Sequence, residues 1–318
     1  MSAGTEIELR QLGTTALRLP RVALGCGNFG GVGSTPPLFG QGIDEAEAFE
    51  LMDCAWELGI THFDTADAYG GGRSERTIGR WIASRGVRPT ITTKTYNPMH
   101  EGGDFGLAPE RVRRQLESSL ERLGVEWVAL YLAHEFDPRV PLAESFDALK
   151  SLAAAGKIDA YGVSNFDAGQ LEAALDAGRP QAVQNERNLL RRDDESLLSL
   201  CAAREVSYLA FGPLAGGWLT GKYTRDEPYP QGSRMTQRPE PYERFVRPET
   251  FDALERLEAH ARAHDRTLAG LALAWLLGDE RISQVVVGPA RPEHLDPLRE
   301  ALANPLTAGE RAVVEELL

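Results

Sequence analysis

The stretch GCGNFGGVGSTPPLFGQGI, residues 25–43, decides between the two folds that the rest of the sequence allows. It follows an apolar run, RVALG (21–25). An open, doubly wound sheet places GxGxxG at its first strand–helix turn, with the helix beginning inside the motif. GCGNFG (25–30) echoes that pattern loosely, but GGVGSTPPLFGQGI (30–43) intervenes before any helical periodicity begins. The loop is too long for such a turn, so the glycines do not carry the open-sheet reading. A closed (β/α)8 TIM barrel with a long first loop is the expectation.

Working outward, short apolar runs alternate with amphipathic segments to the end of the chain. The expected strands are RVALG (21–25), ITHFD (60–64), TITTK (90–94), WVALYL (127–132), DAYGVS (159–164), QAVQ (181–184), SYLAF (207–211) and QVVVG (284–288). Alternation of this kind implies parallel strands joined by crossover helices. The helix signals are local. Asp44 with Glu47, and Asp167 with Gln170, read as capping boxes, while Gly59, Gly124 and Gly178 read as stops. Val112, Leu116, Leu120 and Leu123 recur at helical spacing after Pro109, and Leu142, Phe146 and Leu149 share a face after Pro141. Further helices are expected from Ser74, Asp193 and Pro292. Residues 1–318 read as a single barrel domain, with an N-terminal β-hairpin over 7–20 and a long loop over 212–248 rich in Pro, Gly and Arg. Loops of that length in a compact domain usually serve the site.

The 318 residues are 42% hydrophobic and 25% charged, with a net charge of −13. That balance argues against a nucleic-acid or anionic-membrane surface. The three cysteines, Cys26, Cys54 and Cys201, have no metal-ligand or CxxC spacing and read as buried thiols of a reduced, cytoplasmic protein. MSAGTEIELRQLG lacks the basic and apolar regions of a secretory signal. No run approaches the roughly 18 apolar residues of a membrane span. No metal and no membrane are expected, and a monomer is the default.

In a barrel the chemistry gathers at the C-terminal ends of the strands. Here those ends carry Asp64, Lys94, His134, Ser164–Asn165, Gln184–Asn185, Phe211 and Gly288, with Tyr69 five residues beyond Asp64. An isolated Asp64–Lys94 ion pair would need no function. With Tyr69 and His134 beside it, the set is a chemical one. A free Tyr titrates near ~10 and is a poor acid at neutrality. A neighbouring Lys ammonium, held by Asp64, is expected to lower that pKa, and His134 can bond a substrate oxygen. Tyr69 then protonates an oxygen as it becomes an alkoxide. No side chain donates hydride, so a cofactor is implied. An aldolase using Lys94 as a Schiff-base amine is the competing barrel chemistry, and it needs a neutral lysine.

These residues resemble the aldo-keto reductase family over nearly the whole chain. The carriers are GITHFDTADAYGGGRSERTIG (59–79), TITTKT (90–95), LYLAHEFD (130–137), YGVSNF (161–166), VQNERNLLRR (183–192) and FGPLAGGWLTGKY (211–223). The resemblance implies a barrel that binds NADPH/NADP+ in extended form, with NADH as the alternative, and that reduces a small aldehyde or ketone. A cofactor-binding regulatory subunit with slow turnover is the other role known in that family. The catalytic tetrad maps onto Asp64, Tyr69, Lys94 and His134. Ser164, Asn165 and Gln184 match the carboxamide-holding residues, and Phe211 the aromatic against the nicotinamide. Gly27, Asn28, Phe29 and Asp64 are further implied cofactor contacts. Gly212, Leu214, Gly216 and Lys222 fall around the pyrophosphate, and Gly288, Arg291 and His294 at the adenosine end. Arg187 stands where many members have Tyr, and Gly212 where many have Ser. In GPARPEHLDPL (288–298), Pro297–Leu298 replaces the usual Glu–Asn. Trp81 reads as core, while Phe29 and Trp218 read as core or pocket wall. His62 reads as structural, and His100 as core-remote or pocket-lining. Arg234, Arg238, Arg244 and Arg247 read as a solvated surface or a clamp for an anionic group.

Overall fold

The structure, a computed structural model, describes residues 7–318. Two short strands, β1 (Leu9–Gln11) and β2 (Arg18–Pro20), pair as an antiparallel hairpin. Eight more follow: β3 (Val22–Gly25), β4 (His62–Asp64), β5 (Thr90–Thr95), β6 (Val128–Ala133), β7 (Ile158–Ser164), β8 (Ala182–Glu186), β9 (Ser207–Phe211) and β10 (Ile282–Val287). These eight are parallel and close on themselves in the order β10-β3-β4-β5-β6-β7-β8-β9. Each overlaps an expected strand. Barrel strands are covered on both faces, which is why β6 is buried at every position and reads as a continuous apolar run.

The hairpin lies at the opposite end of the barrel from the strand-end residues. Gly13 N donates to Ser207 Oγ at 2.9 Å, and Thr14 N to Gln181 Oε1 at 2.9 Å, both at strand beginnings. Leu12 and Leu19 pack with Leu130, Leu132, Ala160, Ala182 and Leu209 to plug that mouth.

The helices are α1 (Glu45–Glu57), α2 (Arg73–Arg85), α3 (Pro109–Leu123), α4 (Leu142–Ala154), α5 (Ala168–Ala177), α6 (Glu195–Arg204), α7 (Arg234–Gln237), α8 (Pro248–Ala263), α9 (Leu268–Leu277), α10 (Asp296–Ala303) and α11 (Ala308–Glu316). Both expected capping boxes form reciprocally, at α1 and α5. Three starts differ. α2 opens one residue before Ser74, whose hydroxyl is instead buried between Thr65 Oγ1 (2.8 Å) and Cys26 O (2.9 Å). α6 begins at Glu195 rather than Asp193, and Pro292 opens a 3-10 turn that leads into α10. α9 had no sequence signal: all its residues from Leu268 to Leu276 are buried, so it carries no polar face to reveal a period. Among the described residues no helix is long and apolar enough to cross a membrane.

Candidate active site

Asp64 is the last residue of β4 and Lys94 the fifth of β5, and parallel pairing sets them side by side at one mouth. Lys94 Nζ donates to Asp64 Oδ1 at 2.5 Å and to Thr65 O at 2.8 Å, and both side chains are buried. Gln184 Nε2, from β8 across the barrel, donates to Asp64 Oδ2 at 2.7 Å. Asp64 is thus held at both oxygens. Burial alone would push Lys94 down, but Asp64 and then Tyr69 more than reverse this, and its pKa is raised. An ammonium fixed in this way is unsuited to Schiff-base chemistry, which needs the free amine.

Tyr69 stands on the turn after β4, half-buried, with its ring centroid 5.1 Å from Lys94 Nζ and 5.6 Å from the His134 ring. The expected lowering of its pKa does not hold. Burial raises it, Lys94 only partly offsets that, and Asp64 adds to the rise. The physical reason is that a desolvated phenol resists ionising more than one neighbouring ammonium, itself neutralised by Asp64, can reverse. Tyr69 is therefore protonated at neutral pH, with its ring beside the Lys94 ammonium.

His134 follows β6 directly and is 8% exposed. Burial, then Lys94, holds its pKa well below the usual imidazole value, so the ring is neutral. Asn97 Nδ2 donates to its Nδ1 at 3.4 Å, which leaves the ring proton on Nε2 as a hydrogen-bond donor. Asn97 was not singled out from the sequence. Its signal was its position, three residues past Lys94 in TITTKTYN.

Ser164, Asn165 and Gln184 converge from β7 and β8. Ser164 Oγ donates to Gln184 O at 2.8 Å. Asn165, at φ 60°, turns its Nδ2 to His134 O (3.0 Å), Glu135 Oε1 (3.0 Å) and Ser164 Oγ (3.3 Å). With the amide N–H groups committed, Asn165 Oδ1 and Gln184 Oε1 carry no hydrogen bond from the described residues and stand as open acceptors. A primary carboxamide offers the matching pair of N–H donors. Glu135, absent from the sequence reading, is lifted to about 7 by burial, its hydrogen bond with Asn165 acting the other way.

The remaining residues sort by position. Gly27 lies against the Tyr69 ring, where an added Cβ would stand 3.7 Å away. Phe29 and Trp218 are wholly buried, so their side chains belong to the core, as does that of Trp81. Trp218 sits among Tyr223, Tyr229, Phe245 and Phe251. Phe211 ends β9 at the mouth and Gly212 follows it, both partly exposed, and Leu214 is likewise partly open. Gly216 has no room for a Cβ, which would run into the Tyr242 ring. His62 is buried between Thr90 and Thr92 at 2.8 Å each and is held neutral at about 3, mainly by burial. His100 is exposed and bonds Glu101 O.

The four loop arginines separate. Arg234 reaches across to Asn28 Oδ1 and closes the 212–248 segment over the first loop. Arg244 is bound to Glu186 at 2.6 Å, Arg238 lies near Gly33, and Arg247 faces away from the mouth. Among the described residues, Arg234 and Lys222 have no carboxylate within ion-pair reach, and burial, then Arg234, depresses the Lys222 pKa. Gly288 is exposed just past β10. His294 Nδ1 accepts from Ala290 N at 3.2 Å, and exposed Arg291 has only a 3.7 Å approach to Glu293.

A closed parallel barrel thus carries an Asp-held ammonium, a phenol and a neutral imidazole together at one mouth. The chain belongs to the aldo/keto reductase family, whose model matches residues 21–318. It is 33% identical over 309 residues to the uncharacterized oxidoreductase YrpG of Bacillus subtilis, covering 91% of this chain and 89% of that protein. It is 28% identical over 323 residues to the NADH-specific methylglyoxal reductase of Escherichia coli, covering 96% and 97%. The structure of the glycerol dehydrogenase from Gluconobacter oxydans superposes with a TM-score of 0.81 at 27% identity, over 99% of this chain and 95% of that one.

Proposed function

We propose that this aldo-keto reductase reduces the carbonyl of a small aldehyde or ketone, with Tyr69 as the proton donor and NADPH as the preferred cofactor. The observation that carries the reading is the contact chain Gln184–Asp64–Lys94–Tyr69. It fixes an ammonium beside a phenol that burial keeps protonated. A substrate oxygen accepts hydrogen bonds from Tyr69 Oη and His134 Nε2, and as it gains charge Tyr69 releases its proton to it. Lys94 stabilises the resulting tyrosinate, and Asp64 keeps Lys94 charged and aimed.

The residues present fit a nicotinamide dinucleotide. Asn165 Oδ1 and Gln184 Oε1 are acceptors open to the carboxamide, Lys222 has no carboxylate of the described residues within 4.0 Å at the position expected for the pyrophosphate, and exposed Arg291, 3.7 Å from Glu293, stands at the position expected for the adenosine end. The hydride is what the reduced cofactor supplies when bound. Arg291 supports a 2′-phosphate contact, and hence NADPH. Pro297–Leu298 brings no polar side chain to the adenosine end, and Arg291, the candidate contact for a 2′-phosphate, is exposed and near Glu293, so NADH remains a second cofactor for this site.

The test is NADPH oxidation against a panel of simple aldehydes and ketones, with Tyr69→Phe alongside. The expected outcome is a loss of about 10²-fold or more in kcat with NADPH binding retained. A variant that keeps its rate would remove Tyr69 from the mechanism, and absence of cofactor binding by the wild type would overturn the reading as a whole.

A further inference from the structure

On the outer side of the barrel, bordered by α6, α8 and α9, lies a cavity of about 590 Å³ that shares no residue with the strand-end site. Arg187 forms part of its wall, 2% exposed and pressed against Trp275, whose ring centroid is 5.5 Å from the guanidinium carbon. Its terminal nitrogens donate to Asp194 and to Glu195 (3.1 Å), but its buried Nε has no partner. Two more arginines, Arg192 and Arg247, line the cavity with no carboxylate of the described residues within 4.0 Å. Arg247 makes one side-chain bond, to Thr250 Oγ1 at 3.2 Å.

Three of the four acids lining the same cavity are already occupied. Glu195 accepts from Arg187 and Arg281, and Asp193 lies 3.4 Å from Arg191. Glu315 takes the Trp275 indole N–H at 2.8 Å and approaches Arg311 at 3.4 Å. Exposed Glu249 is the lining acid left without a cation. The 16-residue helix α8 also begins here, with Arg247 at its cap position and no side chain closing its first N–H groups. Glu249, in the first turn of α8, answers the positive helix end; the two guanidinium groups without a carboxylate and the unmet Arg187 Nε are left to favour negative charge along the cavity wall. Leu189 and Ala253 give the cavity an apolar wall.

We propose that this cavity is a second ligand site, for a small organic anion whose carboxylate or phosphoryl head sits between Arg192 and Arg247 and whose short apolar body lies against Leu189 and Ala253. It is independent of whether Tyr69 is the proton donor. The chain has five tryptophans, and Trp275 is the one that lines the cavity. Protein labelled with 5-fluorotryptophan therefore reports the site by ¹⁹F NMR, the Trp275 signal being assigned with Trp275→Phe.

Benzoate and phenyl phosphate are titrated separately at constant ionic strength, with benzyl alcohol as the neutral control. The expected result is a saturable shift of the Trp275 signal by one or both anions and none by the alcohol; whichever anion acts identifies the head group. In the Arg192→Ala/Arg247→Ala double variant the apparent affinity falls by about tenfold or more. Any response of Trp218, which reports the segment after β9, is expected to stay unchanged. A Trp275 signal that neither anion moves, or a shift of equal affinity in the double variant, overturns the proposal. Both arginines are exposed or half-exposed, so the variant keeps its fold. The charge-conserving pair, Arg192→Lys with Arg247→Lys, should restore part of the affinity.

Discussion

Asp67 shows what a single side chain costs when the fold takes it out of water. It sits two residues before Tyr69, with no solvent exposure. Thr95 Oγ1 donates to its Oδ2 at 2.6 Å, and its Oδ1 has no partner. Burial raises its pKa from 3.8 to about 7, the Thr95 bond opposing. The folded state therefore keeps this proton across a window in which the unfolded chain has lost it. Stability falls as pH rises through that window, by about 1.4 kcal/mol per unit from this group, and levels off above the folded pKa. Asp67→Asn mimics the neutral acid. In urea titrations at about pH 5 and about pH 7, its advantage over wild type should grow by roughly 2 kcal/mol. An unchanged difference would mean that Asp67 ionises at its ordinary value in the folded protein. At this scale the identities of Asp64, Lys94, Tyr69 and His134 were legible because strand ends face the mouth in any such barrel. The direction of the Tyr69 shift was not, since it depends on how completely the phenol is desolvated.

At the scale of elements, the placement of Tyr69 depends on how closely two turns approach. Gly70 follows Tyr69 at φ 58°, and a Cβ there would stand 2.7 Å from Gly30 O and 2.9 Å from Phe29 O. The loop that rules out a dinucleotide turn is thus the loop that seats Tyr69. Gly70→Ala adds left-handed strain to a backbone clash, together about 2 kcal/mol or more. It should also lower kcat/KM, since Tyr69 rides on the same turn. Gly124, at φ 67° with open space around it, is the control: Gly124→Ala should cost about 1 kcal/mol and leave turnover alone. Equal effects of the two on turnover would show that the turn absorbs a side chain. Capping boxes at Asp44 and Asp167 could be read because both partners lie within four residues. α9 could not, because a helix covered on all sides has no periodicity, and the start expected at Ser74 fell one residue late because the Ser74 hydroxyl bonds Thr65 and Cys26 of other elements instead of capping α2.

At the scale of the whole molecule, the two mouths of the barrel have separate tasks. One carries the polar cluster. The other is closed by Leu12 and Leu19 of the hairpin, 1% and 3% exposed. Leu12→Ala should destabilise by about 2–5 kcal/mol, as buried leucine truncations do. The dissociation constant for NADPH should not move, and a parallel loss of cofactor affinity would mean that the two ends are coupled. The sequence by itself determined the strand–helix alternation, the strand-end residues and the family signature, because these depend on local periodicity and on spacing along the chain. Only the tertiary structure decided that Gln184 braces Asp64, that Asn97 sets the His134 tautomer, that Arg234 crosses to Asn28 while Arg247 turns to the outer cavity, and that the Tyr69 pKa rises rather than falls. Each of these depends on distances and desolvation between residues remote in the chain, which the linear order of side chains does not contain.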